Sequence, residues 1–299
     1  MAVVAEWIAV DWGTSRLRAW AMQGNAVLAR AQSEDGMAQL APAGFEPALF
    51  TLIEPWLADA PMDVFACGMV GARQGWVEAP YQAVPAKPAE LSPVRVPANS
   101  PRLNAFVIPG LKQTQPADVM RGEETQIAGY LAGNPNWDGV ICLPGTHTKW
   151  VHASAGEVIS FQTFMSGEMF DLLSNTSVLR HSIGDGFDMA AFEAALEESL
   201  SRPERLAARL FGLRARDLLM AASRDQARAS LSGFLIGAEL AAARPYWLGQ
   251  EVIVIGSDQL APLYRHALQQ QGAFVTASAA EDMTLAGLCA LRERHKVRA

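Results

Sequence analysis

Cysteine, histidine and basic charge are all in short supply in this chain, and each shortage removes a class of function. The 299 residues hold three cysteines, Cys67, Cys142 and Cys289, far apart and set among apolar neighbours. An odd, scattered set suggests neither a disulfide framework nor a thiolate metal cluster, and predicts buried, reduced thiols. His152, His181, His266 and His295 stand at no metal-ligand spacing and read as structural or surface residues. Lysine and arginine number 24 against 31 aspartates and glutamates, a formal net charge of −7. A nucleic-acid partner needs a concentrated basic face, so none is expected. An anionic small molecule is compatible with this charge only if its site supplies local arginine, lysine, backbone amides or Mg²⁺. No run approaches the ~20 continuous apolar residues that span a bilayer, so no membrane association is expected. The N-terminal MAVVAEWIAVDWG is apolar but lacks a basic leader and a cleavage site, which makes a cytoplasmic location the expectation. Dinucleotide fingerprints, Walker-type loops and nucleophile elbows are missing too, which removes the commonest competing enzyme classes.

What the chain does hold is apolar substance and a repeated beginning. Half its residues are hydrophobic, with eight Trp, eleven Met and twelve Phe, enough for two domains with separate cores. Glu6 to Trp12 reads as a strand that breaks at Gly13-Thr14-Ser15. Leu17 to Met22 and, after a Gly24-Asn25 turn, Ala26 to Gln32 complete a meander. The same order returns about 130 residues later, with strands at Gly139 to Leu143, Lys149 to Ala153 and Glu157 to Phe164 around a Gly145-Thr146-His147 turn. Each meander is followed by a helical pattern and a further apolar strand. Phe45 to Leu57 precedes Val64 to Val70, and Leu231 to Ala242 precedes Glu251 to Ile255. Meanders mixed with alternating helix and strand predict two α/β domains. The proline-rich stretch from 75 to 118 predicts irregular edge strands and loops, and Arg202 to Arg228 a charged helical surface insertion.

The two turns carry the chemistry. Asp11-Trp12-Gly13-Thr14-Ser15 offers a carboxylate at a strand end, a glycine for close backbone approach, and two hydroxyls with adjacent amides. Those are the parts needed to hold Mg²⁺-bound phosphate, although one such turn is also an ordinary hairpin. A counterpart at Pro144-Gly145-Thr146-His147-Thr148-Lys149, at the equivalent place in the second half, makes the pair more specific than either member.

In order, DWGTSRLRAW, RGEETQIAGYL, LPGTHTKW, EVIVIGSDQLAPLY and AAEDMTLAGLCAL are similar to the phosphate-1, connect-1, phosphate-2, adenosine and connect-2 segments of the actin/Hsp70/hexokinase superfamily. Within it, MRGEETQ, LPGTHTKWV, FMSGEMFDLL and GMVGARQGW resemble the 2-dehydro-3-deoxygalactonokinase family, which phosphorylates O6 of a keto-deoxy sugar acid with MgATP. The resemblance implies an α/β chain of two ribonuclease H-like (actin-like ATPase) domains with a central interdomain cleft. Residues 1–135 plus 280–299 would form an N-terminal sugar-binding domain closed by the C-terminal helix, and 136–279 a C-terminal nucleotide-binding domain. It implies ATP, Mg²⁺ and a sugar acid as ligands. Asp11 would stand near the metal, through phosphates or water. Gly13, Thr14 and Ser15 would cradle the transferred group, and Gly145, Thr146 and His147 would cover the phosphates from the second half. Gly256 and Ser257 would approach the adenosine, where a larger side chain at 256 would block purine or ribose. Lys149 would reach the phosphates or point to solvent.

Related sugar kinases place an aspartate base before the second phosphate loop. Here the matching segment reads Arg121-Gly122-Glu123-Glu124, so Glu123, and after it Glu124, are the candidates, while two acids at a helix start also suit its dipole. The sugar's carboxylate calls for the planar fork of an arginine. Arg16 and Arg73 are the candidates, with Gln74 beside the latter and Trp76 able to stack on the sugar's apolar edge. Arg16 and Arg18 also read as a solvated strand face. Glu168 could accept from sugar hydroxyls or cap a helix. Glycines inside the predicted helices Glu123 to Ala132 and Ala280 to Arg292 cost ~1 kcal/mol each relative to alanine. They predict a close helix contact at a moving domain junction, where larger side chains at Gly129 or Gly287 would impair turnover more than folding. The rival readings are a kinase for another aldonic or keto-deoxy acid or a neutral sugar, an actin-like ATP-dependent interaction protein, and a sugar sensor. The first would differ only in its pocket, the second would call for extra subdomains, and the third for a DNA-binding segment. A possible homodimer is compatible with the sequence, which does not fix oligomeric state.

Overall fold

A computed structural model describes residues 4–298. Nine strands precede residue 121: β1 (Trp7–Trp12), β2 (Leu17–Gln23), β3 (Ala26–Ser33), β4 (Met62–Gly68), β5 (Tyr81–Ala83), β6 (Val94–Arg95), β7 (Leu103–Val107), β8 (Gly110–Thr114) and β9 (Ala117–Met120). Helix α1 (Phe45–Ile53) crosses from β3 to β4, and α2 (Glu123–Gly133) follows β9. The main sheet runs β3-β2-β1-β4-β7-β6; β1 to β3 form the antiparallel meander, while β4 pairs parallel with β1 and β7 parallel with β4. Strands β5, β8 and β9 form a small sheet of their own within the proline-rich stretch.

Central β1 is apolar at almost every position because both of its faces are covered, as a doubly packed strand requires. Ile8, Val10 and Trp12 join Phe45, Leu49 and Ile53 of α1 in one buried cluster, and the Trp12 and Phe45 rings lie 5.1 Å apart. Trp7, one residue out of phase, meets Phe65 edge-on at 6.1 Å. Edge strand β3 alternates exposed and half-buried residues instead.

The second half repeats the order. After β10 (Gly139–Leu143), β11 (Thr148–Ser154) and β12 (Glu157–Phe164) come helices α3 (Ser166–Asn175), α4 (Met189–Ser201), α5 (Leu206–Met220), α6 (Arg224–Ala242) and α7 (Arg244–Trp247). Then follow β13 (Glu251–Gly256), α8 (Ala261–Gln270), β14 (Phe274–Ala279) and the last helix, α9 (Ala280–Arg298). The sheet order is β12-β11-β10-β13-β14, with β10 and β13 parallel. Counted within each half, both sheets therefore begin third-second-first-fourth, the structural form of the repeated meander. Helix α6 starts seven residues before its predicted apolar stretch, since the Ser223 hydroxyl accepts from the Gln226 amide as an N-cap. The expected charged insertion is α5, whose Leu213 is buried while Phe211, Leu218, Leu219 and Met220 are exposed.

The chain folds as two compact units: residues 1–138, 153–161 and 279–299 in the first, 139–152 and 162–278 in the second. The tip of the β11–β12 hairpin belongs to the first unit, where Val158 bridges Ala86 and the Phe161 amide donates to Gln113 Oε1 at 3.1 Å. No described helix is long and apolar enough to cross a membrane, and Cys67, Cys142 and Cys289 are free and buried.

Helix α9 packs on α2 within the first unit, backbone against backbone. A Cβ at Gly129 would lie 2.0 Å from the Met283 carbonyl oxygen, and one at Gly287 would lie 1.9 Å from that of Thr125. The predicted close contact is present, but its partners are main-chain atoms of one unit, so the penalty for a larger residue falls on stability first. Gly287→Ala should destabilise the protein by about 1–3 kcal/mol, since neither backbone can yield locally. A urea midpoint equal to that of the unsubstituted protein would show that the helices part freely. The far end of α9 is held by Arg292, which is buried, donates to Glu6 Oε1 at 2.6 Å and lies 4.7 Å over the Trp7 ring. Hydrogen bonds from Arg292 and the Gly24 amide hold the Glu6 carboxyl at about 2.

Candidate active site

In the first unit the polar residues collect where β1 and β4 end. The parallel register sets Asp11 opposite Cys67 and Trp12 opposite Gly68, and the antiparallel register sets Asp11 opposite Arg18. Arg18 Nη2 donates to Asp11 Oδ2 at 2.6 Å. Burial pushes the Asp11 carboxyl up, Arg18 pulls it back by charge and hydrogen bond, and Glu123 and Glu281 add smaller upward pushes. Two glycines let the start of α2 come close. Gly68 has φ +91°, and a Cβ there would lie 2.6 Å from the Trp12 carbonyl oxygen; Gly122 has φ +108°, and its Cβ would lie 3.3 Å from Gly68 Cα. Both conformations are costly for any residue with a side chain.

The two glutamates that open α2 have different surroundings. Glu124 is fully buried; its Oε2 accepts from the Gly122 amide at 2.7 Å and its Oε1 from the Thr125 hydroxyl at 3.2 Å. Burial, then repulsion from Glu123, pushes the Glu124 carboxyl up to about 8 against the pull of the helix-start amides and Arg121. Near pH 7 it carries a proton. Glu123 is half-buried, and its Oε2 accepts from the Arg121 amide at 3.0 Å. With Glu124 fully buried beneath it, Glu123 is the member of the pair within reach of a ligand.

This arrangement has a pH signature. Glu124 binds its proton more tightly in the folded chain, about 8, than at the ordinary value of 4.5. Its contribution to stability is complete below about pH 4.5 and is lost as pH rises through about 8. The unfolding free energy should therefore fall between pH 5 and 9, by at most a few kcal/mol from this group at about 1.4 kcal/mol per unit. Glu124→Gln should flatten that decline. Urea-unfolding curves of the two proteins that stay parallel across the range would rule this out.

The loop after β1 is clamped by segment 36–38. The Gly13 and Thr14 carbonyls accept from the Met37 and Ala38 amides, each at 3.0 Å, and a Cβ at Gly36 would collide with Ser15. The Gly13 amide donates to the Arg16 carbonyl at 2.9 Å, and the Thr14 and Ser15 side chains face solvent. Arg16 and Arg73 are exposed, paired with Glu34 at 3.4 Å and Glu78 at 3.5 Å. Gln74 is exposed beside Arg73, whereas Trp76 packs into the core cluster with its ring edge-on to Trp12 at 6.2 Å. That packing engages the ring expected to stack on a sugar.

In the second unit, Gly145, Thr146 and His147 form the turn from β10 to β11, with Thr146 and His147 exposed. The start of α3 lies directly on this turn. A Cβ at Gly167 would lie 2.1 Å from the Gly145 oxygen, the Glu168 amide donates to the Thr146 carbonyl at 2.9 Å, and the Glu168 carboxylate meets His147 Nε2 at 2.6 Å. Glu168 is therefore part of the turn's own framework. Lys149 is buried, and its Nζ donates to the His147 carbonyl at 3.1 Å, so the alternative of a solvent-facing lysine falls. Gly256 ends β13 with no room to spare: a Cβ there would lie 3.3 Å from Ala261 Cβ and 3.4 Å from Pro144 Cδ. Ser257 is exposed, and its carbonyl accepts from the Ala261 amide at the start of α8.

Two functional candidates escape the sequence reading. Arg18 could have been found by counting the meander register outward from the turn, which sets positions 11 and 18 opposite each other. Glu239 is a lone acid in the apolar stretch FLIGAELAA, 2% exposed, and gathers donors from Trp150 and Tyr264. An unexplained charge in a core stretch was the available signal.

Residues 11–291 match the model of the family described as 2-keto-3-deoxy-galactonokinase. The chain is 38% identical over 290 residues to the 2-dehydro-3-deoxygalactonokinase of Escherichia coli (strain K12), covering 96% of this chain and 97% of that one. It is 39% identical over 298 residues to a protein of Rhizobium meliloti (strain 1021) named as a probable 2-dehydro-3-deoxygalactonokinase, covering 97% of each. A Sinorhizobium meliloti crystal structure assigned by name to the same kinase superposes with a TM-score of 0.89 at 39% identity, over 96% of both chains. An activator of 2-hydroxyisocaproyl-CoA dehydratase from Clostridium difficile, solved with ADPNP, superposes with a TM-score of 0.55 at 11% identity, over 98% of this chain and 96% of that one. The last likeness speaks to the fold alone, which is that of the actin-like ATPases, as the repeated motifs imply.

Proposed function

Since the chain belongs to the 2-keto-3-deoxy-galactonokinase family, we propose that it transfers the γ-phosphoryl group of ATP to O6 of 2-dehydro-3-deoxy-D-galactonate. The products are 2-dehydro-3-deoxy-6-phosphogalactonate and ADP, in galactonate catabolism in the cytoplasm. The observation that carries the mechanism is the half-buried Glu123 held over a fully buried, protonated Glu124 beside Asp11. Phosphoryl transfer asks chiefly for positioning and charge neutralisation. Glu123 accepts the O6 proton. Asp11 would help hold a Mg²⁺ ion: Arg18 engages its Oδ2, and its Oδ1 has the weakly donating Cys67 thiol at 4.0 Å, with glycine at 68 adding no side chain. Such an ion, when bound, supplies positive charge against the charge that develops on the phosphates.

In this reading the first unit takes the sugar acid and the second the nucleotide. Thr14 and Ser15 contact the transferred group; Gly145, Thr146 and His147 the phosphates; Gly256 and Ser257 the adenosine. Arg16 or Arg73 takes the substrate carboxylate by exchanging its surface partner, Glu34 or Glu78; exposed pairs of this kind are worth at most about 1 kcal/mol, so the exchange is easy. A coupled ADP-release assay over a panel of keto-deoxy and aldonic acids tests the proposal. Turnover should be highest on 2-dehydro-3-deoxy-D-galactonate, with phosphorus coupling at C6 in the product spectrum. ATP hydrolysis without phosphorylation of any sugar acid would overturn it.

A further inference from the structure

We propose that Glu239 is a positioning residue for nucleotide binding, tying the strand that leaves the 144–147 turn and the helix that lies on it to one buried carboxylate. The inference rests on the reading of that turn as a phosphate site. Glu239 Oε1 accepts from Trp150 Nε1 at 2.9 Å and Oε2 from the Tyr264 hydroxyl at 2.9 Å. The Tyr264 oxygen is in turn 3.1 Å from Thr148 Oγ1, so a tyrosine that donates to Glu239 accepts from Thr148. Ser166 also hydrogen-bonds the carboxylate. Thr148 and Trp150 are fully buried in β11, the strand that leaves the turn, and Ser166 opens α3, the helix that lies on it. Through Gly167 and Glu168 that helix contacts the Gly145 and Thr146 carbonyls and His147.

A carboxyl group in a core has no packing advantage over an apolar side chain of similar volume, and replacing such groups is often neutral or stabilising. Burial pushes the Glu239 carboxyl up, and its donors pull it back. What the acid supplies is two acceptor oxygens fixed in space, one on Trp150 of β11 and one on Tyr264 of α8, which in turn meets Thr148 of β11. Their effect is to set where the Thr146 and His147 side chains and the neighbouring amides stand before nucleotide arrives, which lowers the ordering cost of binding.

Glu239→Gln keeps the volume but turns one acceptor into a donor. With the remaining oxygen on Trp150, the amide must donate to the Tyr264 oxygen, which reverses the Tyr264–Thr148 hydrogen bond, and it offers one acceptor oxygen fewer to the Ser166 hydroxyl. Calorimetric titration with MgADP should show affinity weakened about tenfold, and KM for ATP should rise in step. KM for the sugar acid and kcat at saturating ATP should stay within about twofold. Tyr264→Phe, which removes the bridge to Thr148, should weaken MgADP binding by about threefold. Unchanged MgADP affinity in Glu239→Gln, or equal loss of both ligands with a collapsed melting temperature, overturns the inference. Should that variant not fold, Tyr264→Phe and Thr148→Val carry the test, and unchanged MgADP affinity in both overturns it. Wild-type protein that binds MgADP but phosphorylates no sugar acid would sink the proposed substrate and leave this inference standing.

Discussion

Glu123→Gln should lower kcat by about 10²- to 10⁴-fold, the usual contribution of a placed general base, while KM for ATP changes by less than about threefold. The amide cannot take the O6 proton at any accessible pH. Its carbonyl oxygen can still accept from the Arg121 amide, as Glu123 Oε2 does at 3.0 Å, so the start of α2 and the melting temperature should survive. Glu124→Gln is the internal control: its group is already protonated near neutrality and is fully buried, so its kcat should fall by less than about tenfold. Reversed behaviour of the two variants would move the base to Glu124. A fall of less than tenfold in both would remove the pair from the chemistry.

The contrast between these neighbours marks the boundary of what the sequence reveals. Strands at 139–143 and 157–164 are found where the apolar runs and turn residues place them, because alternation and turn chemistry are local properties. The repeat of the meander, and with it the repeated sheet order, is legible for the same reason. Two acids in succession at 123 and 124 are equally legible, but their division into a reachable and a buried group depends on which face of α2 meets the strand ends. That face is set by Gly68 and Gly122, two positions 54 residues apart whose positive φ no local pattern announces.

Lys149 shows the same limit. Period-two alternation would place it outward if one face of β11 met solvent, but β11 is buried at four consecutive positions, 148–151, so alternation carries no direction. Trp76 and Glu168 are legible as residue types suited to sugar, but their contacts with Trp12 and His147 come from long-range packing that no local pattern announces. Helix α9 runs to Arg298, past the last apolar residue of its pattern, where Arg294 pairs with Glu90 at 2.9 Å and His295 lies 4.6 Å from the Phe106 ring. These partners are distant in sequence, so only the folded chain supplies them.

Asp11→Asn should separate activity from stability most clearly. The Asp11 carboxyl is pushed up because burial, joined by the charges of Glu123 and Glu281, opposes its ionisation more strongly than Arg18 supports it. Asparagine keeps the shape and removes a charge that is costly to bury. Arg18 is 42% exposed and can turn to water when its partner is neutral, so the melting temperature should hold or rise. Turnover at fixed low Mg²⁺ should nevertheless fall by about 10²- to 10³-fold, the scale found when one preorganised electrostatic group is removed from a reacting centre. Raising the Mg²⁺ concentration should restore part of the loss through occupancy, a recovery that a merely structural defect would not show. Near-normal turnover at low Mg²⁺ would remove Asp11 from the phosphate site. Parallel losses of melting temperature and activity would assign it to the scaffold. A destabilised charge kept at the end of β1, next to Gly68 and the start of α2, is otherwise hard to reconcile with a fold that gains nothing in stability from it.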